Sequence, residues 1–189
     1  VITGKSVAFG GSLGRDTATA RGGYFVLEAL RERLKIQVGA RVAIQGFGNA
    51  GSNMAIQLVK AGYVVVAVSD SKGGIVKDDG LDINAVEAHK KATGSVVNFY
   101  GAQNVTNEGV LTADVDVLIP AALEGALTAE IASQVQAKVI LELANGPTVP
   151  EAEAVLALRN IFVVPDVLAN SGGVTVSYFE WEQNRKGEH

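Results

Sequence analysis

The sequence predicts an α/β protein built on a doubly wound, mostly parallel sheet, with helices flanking it at both ends of the chain. Three observations carry this. Short apolar runs recur along the 189 residues, and they are continuous rather than alternating, the pattern of strands buried on both faces. Helix-like stretches with start and stop signals separate these runs. A glycine-rich turn joins the first run to the helix after it, as βαβ units require.

The runs are Arg41-Val-Ala-Ile-Gln45, Val64-Val-Val-Ala-Val-Ser69, Val115-Asp-Val-Leu-Ile119, Val139-Ile-Leu-Glu-Leu143 and Ile161-Phe-Val-Val164. Between them, Ala50 to Ala61 places Met54, Leu58 and Ala61 on one helical face before Gly62 stops it. Ile83 to Thr93 lies between Asp82, an N-cap, and Gly94, a C-terminal stop. Thr128 caps a helix to Val135, with Glu130 at its positive end. Thr148-Val-Pro-Glu151 reads as a capping box, with Pro150 in the first turn of a helix to Arg159. Two helices fall outside this beat, Thr17 to Leu34 and Gly172 to Asn184. No linker-like or low-complexity tract divides the chain, so residues 1–189 are expected to form one domain.

Composition narrows the function. With 48% hydrophobic and 19% charged residues, the chain has the material for a core and is not of the disordered class. Lys and Arg total 16 against 20 Asp and Glu, with no basic block, which argues against a nucleic-acid surface. There is no cysteine, and the two histidines, His89 and His189, are too scattered for a metal cluster, so no metal is expected. His89 falls mid-helix as a surface or packing residue. No apolar run approaches a membrane span and no leader pattern opens the chain, so a soluble, cytoplasmic protein is expected.

The glycine turn carries the chemistry. Gly46-Phe47-Gly48-Asn49-Ala50-Gly51 is a GxGxxG opening a helix. In such turns the first glycine makes the bend, the second admits a pyrophosphate and the third lets the helix pack on its strand. The phosphates then meet free amides at the helix N-terminus. Asp70 ends the next run at the spacing where a carboxylate accepts from an adenosine ribose. Alone the glycine pattern is weak, but strand, helix and acid together predict a Rossmann-like dinucleotide site. Asp70 would repel a 2′-phosphate, so NAD is favoured. Ser71 and Lys72 offer a donor and a charge that let NADP be tolerated, although Lys72 reads equally well as a solvated loop residue. Further strand ends carry Ala121 and Ala122 in Pro120-Ala-Ala-Leu-Glu124, then Asn145 and Asn170. The two asparagines suit a carboxamide or ribose and are also ordinary turn formers. No histidine, cysteine or buried lysine near these later strand ends offers acid, base or nucleophile, so no catalytic residue is assigned.

With these residues in hand, the chain resembles the glutamate dehydrogenase group within the amino-acid dehydrogenases acting on Glu, Leu, Phe or Val. Six motifs carry the resemblance in order. They are Gly10-Gly-Ser-Leu-Gly-Arg15 with Ala18-Thr19, Gly46 to Gly51, Ser69-Asp-Ser-Lys-Gly-Gly74, Pro120 to Glu124, Ala144-Asn-Gly-Pro-Thr148 and Asn170-Ser-Gly-Gly-Val-Thr-Val-Ser-Tyr-Phe-Glu-Trp181. The resemblance implies reversible oxidative deamination of L-glutamate to 2-oxoglutarate and ammonia, with hydride passing to NAD(P)+. It implies that Thr19 and Asn145 meet the nicotinamide end, Asp70 the ribose, and Val174 and Ser177 the substrate pocket, Ser177 facing the side-chain carboxylate. Ser177 also reads as a helix packing residue. Leu143 and Ala20 depart from the family pattern as packing variation.

In that family a preceding domain supplies a catalytic lysine and aspartate. The chain is therefore expected to be an isolated cofactor domain that binds dinucleotide without turnover, cut from a homo-oligomeric parent. The cofactor domain of a leucine, phenylalanine or valine dehydrogenase and a non-catalytic nucleotide-binding module are the competing readings.

Overall fold

A computed structural model describes residues 2–187, so His189 lies outside the described residues. Seven strands form one sheet: β1 (Arg41–Gln45), β2 (Val64–Asp70), β3 (Gly73–Val76), β4 (Gln103–Val105), β5 (Val117–Pro120), β6 (Val139–Leu141) and β7 (Phe162–Val164). Their order is β4-β3-β2-β1-β5-β6-β7. The five strands from β2 to β7 pair in parallel, whereas β3 and β4 add an antiparallel edge. The chain leaves β1 in one direction to build β2–β4, then returns to its other side for β5–β7. That reversal is the switch point of a doubly wound sheet.

Among the described residues, eight α-helices accompany the sheet: α1 (Ala18–Leu30), α2 (Asn49–Lys60), α3 (Ile83–Thr93), α4 (Asn107–Leu111), α5 (Ala129–Gln134), α6 (Pro150–Leu158), α7 (Asp166–Ala169) and α8 (Ser171–Lys186). One core face gathers Leu27, Met54, Leu58 and Val86 from α1–α3 against Val42, Ile44 and Val68. The opposite face gathers Leu111, Ala132 and Leu156 from α4–α6 against Ala43 and Leu118. Burial on both faces is what the continuous apolar runs require.

Local signals behave as their chemistry dictates, with three exceptions. Asp82 and Thr128 accept from the amides of Ala85 and Ile131 and cap α3 and α5. Thr148 does not cap α6. Val149 holds that place, and the Thr148 hydroxyl donates instead to the buried Glu142 carboxylate, which lacks enough partners without it. The first helix stops at Leu30 rather than Leu34, because Lys35 takes φ 54° and turns Ile36 into the core. The edge pair β3–β4 and the short α4 lie where the sequence shows no periodic run.

One irregularity aims the site. Val42 pairs with Val65, but Ala43 pairs with Ala67, so Val66 is an extra residue in β2. Such a bulge reverses the side-chain parity beyond it. Asp70 consequently leaves the sheet on the α3 side.

Candidate functional site

The turn after β1 shows why glycine stands where it does. Gly46 has φ 99°, and a Cβ there would lie 2.7 Å from Ala122 Cβ. A Cβ on Gly51 would lie 1.8 Å from the Gly46 carbonyl oxygen, so only glycine lets α2 start this close to its strand. Gly48 differs: a Cβ there would meet nothing within 4 Å, so the missing side chain opens onto free space above the first amides of α2. Those amides have no acceptor within their own helix. The arrangement fits a pyrophosphate crossing the turn.

Two cavities flank this turn along the carboxyl ends of the strands. The larger, about 670 Å³, is lined by Gly46, Phe47, Gly48, Asp70, Ser71 and Lys90, among others. The smaller, about 450 Å³, is lined by Arg15, Thr19, Asn145, Asn170, Val174 and Ser177, with Leu143, Ala144 and Gly173. Ala121 and Ala122 line both and join them. The expected site residues are thus brought together, apart from Asn49, Ala50 and Gly51, which line neither cavity. The Asn49 side chain turns away to donate to the Asp16 carbonyl at 2.6 Å, leaving its backbone amide for the turn. The Lys72 side chain lies outside the larger cavity's lining.

Asp70 sits beside the glycines, but its carboxylate is already engaged. Oδ1 accepts from the Lys72 amide at 2.9 Å and the Ser95 hydroxyl at 3.1 Å. Oδ2 accepts from the Val96 amide at 2.7 Å, and Lys90 Nζ lies 3.7 Å away. Burial pushes its pKa up, yet these donors and the lysine charge outweigh burial and hold it below the ordinary 3.8. Lys90 itself donates to the Phe47 carbonyl at 2.7 Å, tying α3 to the glycine turn. His89, one residue before it, packs edge-on to Phe99 and meets the Val97 carbonyl.

The second cavity owes its shape to glycine contacts between α1 and α8. A Cβ on Gly172 would fall 2.2 Å from the Ala18 carbonyl oxygen, so the two backbones touch. This brings Arg15 to Ser177, where Nε donates to the hydroxyl at 2.9 Å. Ser177 in turn donates its one proton to the Gly173 carbonyl at 3.1 Å. Across the cavity, Asn170 Nδ2 donates to Asn145 Oδ1 at 2.6 Å. Leu143 fills space that a side chain at Gly23 would occupy while also lining the smaller cavity, and Ala20 is core.

Residue-by-residue reading missed Arg15, Gln45, Lys90 and Glu142. Gln45 lines the larger cavity, nearly buried, and its Oε1 has no partner among the described residues. The only local hint was a polar side chain closing an apolar strand.

A sequence profile of the Glutamate/Leucine/Phenylalanine/Valine dehydrogenases matches residues 10–189. The chain belongs to this family. It is 52% identical to the NADP-specific glutamate dehydrogenase A1 of Halobacterium salinarum over 98% of its own length and 45% of that protein's. It is 50% identical to the glutamate dehydrogenase of Thermotoga maritima, covering 97% of this chain and 45% of the relative. The hetero-hexameric glutamate dehydrogenase of Thermus thermophilus, solved in a Leu-bound form, superposes with a TM-score of 0.92 at 42% identity, over 100% of this chain and 45% of that one. This family member therefore spans somewhat less than half the length of the relatives it matches. No described helix is long and apolar enough to cross a membrane.

Proposed function

We propose that residues 1–189 form one dinucleotide-binding unit of a cytoplasmic glutamate dehydrogenase. One observation carries the reading: an open glycine turn lies between two cavities that share Ala121 and Ala122. A dinucleotide bridges two such halves with its pyrophosphate on the turn. The adenosine half then lies over β1 and β2, and the nicotinamide half over β5 to β7. The nicotinamide supplies the hydride acceptor. Thr19, Asn145 and Asn170 orient it, and the first amides of α2 hold the phosphates.

Engaged as it is, Asp70 serves the adenosine half chiefly as a brace, with room for one further donor beside Lys90. Its charge, held by three hydrogen bonds and offset by the Lys90 ammonium, repels a 2′-phosphate weakly. Ser71 and Lys90 line the same cavity. NADP is therefore accepted beside NAD, in keeping with the NADP-specific naming of relatives.

Arg15, oriented by the Ser177 hydroxyl, supports a carboxylate-bearing substrate. Only Nε of Arg15 finds an acceptor among the described residues, which leaves guanidinium donors for an anion. Glutamate fits that cavity better than leucine, phenylalanine or valine does. In the whole protein, glutamate, NAD(P)+ and water would give 2-oxoglutarate, ammonium, NAD(P)H and a proton. The acid and base for that step lie outside this chain, which alone binds cofactor without turnover. Exposed Phe9, Leu13, Tyr178 and Phe179 support contact with further polypeptide in a homo-oligomeric whole.

Calorimetric titration with NAD+ and NADP+ tests the reading. Saturable binding of both, in the micromolar range or weaker, is the expected result. Absence of binding to either overturns it.

A further inference from the structure

Glu142 is the one buried acid of the strand ends that the proposed chemistry leaves idle. Leu141 and Leu143 on either side of it belong to the α1–α3 core face, so its side chain leaves by the other. There it is only 7% exposed and finds two donors from two different loops. The Thr148 hydroxyl donates to Oε1 from the loop after β6. The Asp166 amide donates to Oε2 at 3.0 Å from the segment after β7. A further contact closes the ring: the Gly146 amide donates to Asp166 Oδ2 at 2.8 Å. The Asn170 amide donates to the Asp166 carbonyl at 2.9 Å, so Asn170 rides on the same ring.

We propose that Glu142 is a positioning residue for the nicotinamide half of the cleft. It ties together the two loops that present Asn145 and Asn170 to the ligand, while touching no ligand itself. The 2.6 Å bond between those two asparagines exists because both loops are held from behind. Burial raises the Glu142 pKa, and the charges of Asp166 and Glu153 push the same way. A charge kept under those conditions does not add stability, and an apolar residue of like volume would serve the core better. What the carboxylate provides is two acceptors at a fixed spacing, one for each loop.

This inference rests on the dinucleotide reading, and the experiment separates the two. Affinities of the 189-residue chain for NADPH and for ADP, the adenosine part alone, are measured by titration. Glu142→Ala is expected to weaken NADPH about tenfold, the worth of a lost hydrogen bond, while ADP changes less than about twofold. Glu142→Gln keeps an acceptor for the Asp166 amide and a donor for the Thr148 hydroxyl, and is expected to restore NADPH affinity. Thr148→Val removes one arm of the ring at constant volume and shows the same split if Glu142→Ala does not fold. Equal weakening of both ligands, or none, overturns the positioning role. A wild-type chain that binds neither ligand overturns the dinucleotide reading as well.

Discussion

Each half of the cleft keeps a buried carboxylate at a strand end, and the protein solvates the two in opposite ways. Asp70, in the adenosine half, receives two amides, a hydroxyl and a nearby ammonium, and its pKa falls despite burial. Glu142, in the other half, receives one hydroxyl and one amide, faces two further acids and titrates above the ordinary 4.5. The adenosine half is thus a braced cradle, cross-linked from α3 to the glycine turn through Lys90. The nicotinamide half is assembled from loops held by fewer and costlier bonds. On the proposed reading, the more heavily bonded carboxylate stands beside the amides that would meet the phosphates, and the less heavily bonded one behind the loops that would face the nicotinamide.

The contrast breaks most severely at the turn. Gly51→Ala places a methyl 1.8 Å from the Gly46 carbonyl oxygen, and backbone must move to admit it. We expect a loss of about 3 kcal/mol in urea unfolding, at the top of the overpacking range. Affinity for ADP and for dinucleotide should fall together, by more than about tenfold, because the shared pyrophosphate seat is displaced.

Next in size is Asp70→Asn. It leaves one oxygen for donors that now use two, and removes the anionic partner of Lys90, which keeps its bond to the Phe47 carbonyl. A cost of about 2 kcal/mol is expected. The sign with pH follows from the depressed pKa. Asp70 contributes its full stability above the ordinary aspartate value of 3.8 and loses it as pH falls through its folded value. Unfolding midpoints measured from neutral to acid should therefore drop less steeply for the asparagine variant than for the native chain.

Arg15→Ala tests the other cavity. Stability and NADP+ affinity should hold within about 0.5 kcal/mol, since the side chain is partly exposed and bonds only to the Ser177 hydroxyl among the described residues. In the whole enzyme, KM for glutamate should rise about thirtyfold, the loss of a charge-assisted pair worth about 2 kcal/mol. Arg15→Lys should not restore it, because an ammonium lacks the fork that reaches both Ser177 and a carboxylate.

These predictions also separate what the chain reveals locally from what it does not. The parallel strands and the glycine turn are legible because hydrophobic continuity and steric exclusion act over a few residues. The β3–β4 edge is not, since Gly73-Gly74 and Gln103-Asn104-Val105 carry neither apolar run nor alternation. Spacing puts Asp70 at the end of β2 near the glycine turn, but its donors Ser95 and Val96 arrive from a loop 25 and 26 residues on, and a bulge decides which face it uses. Arg15 meets Ser177 only because two helices cross at glycines. Thr148 looks like a cap until the buried acid six residues before it claims its hydroxyl. At Asp70 and Arg15, contacts distant in sequence decide what local rules do not.

The smallest effect is the most discriminating, because its sign is opposite to that of Asp70→Asn. Glu142 titrates above its ordinary value, so between 4.5 and its folded pKa the native state holds a proton that the unfolded chain has released. Stability from this group therefore decreases as pH rises through that window and stays reduced at neutral pH. Glu142→Gln removes the charge but keeps both hydrogen-bonded positions filled. The variant should be more stable than the native chain at pH 7, by less than about 1 kcal/mol, the scale of a small pKa change. That advantage should shrink as the pH is lowered and Glu142 takes up its proton. If glutamine destabilised the chain at pH 7 as asparagine does at position 70, the two carboxylates would be doing the same job. The division of the cleft into a braced half and a tethered half would then fail.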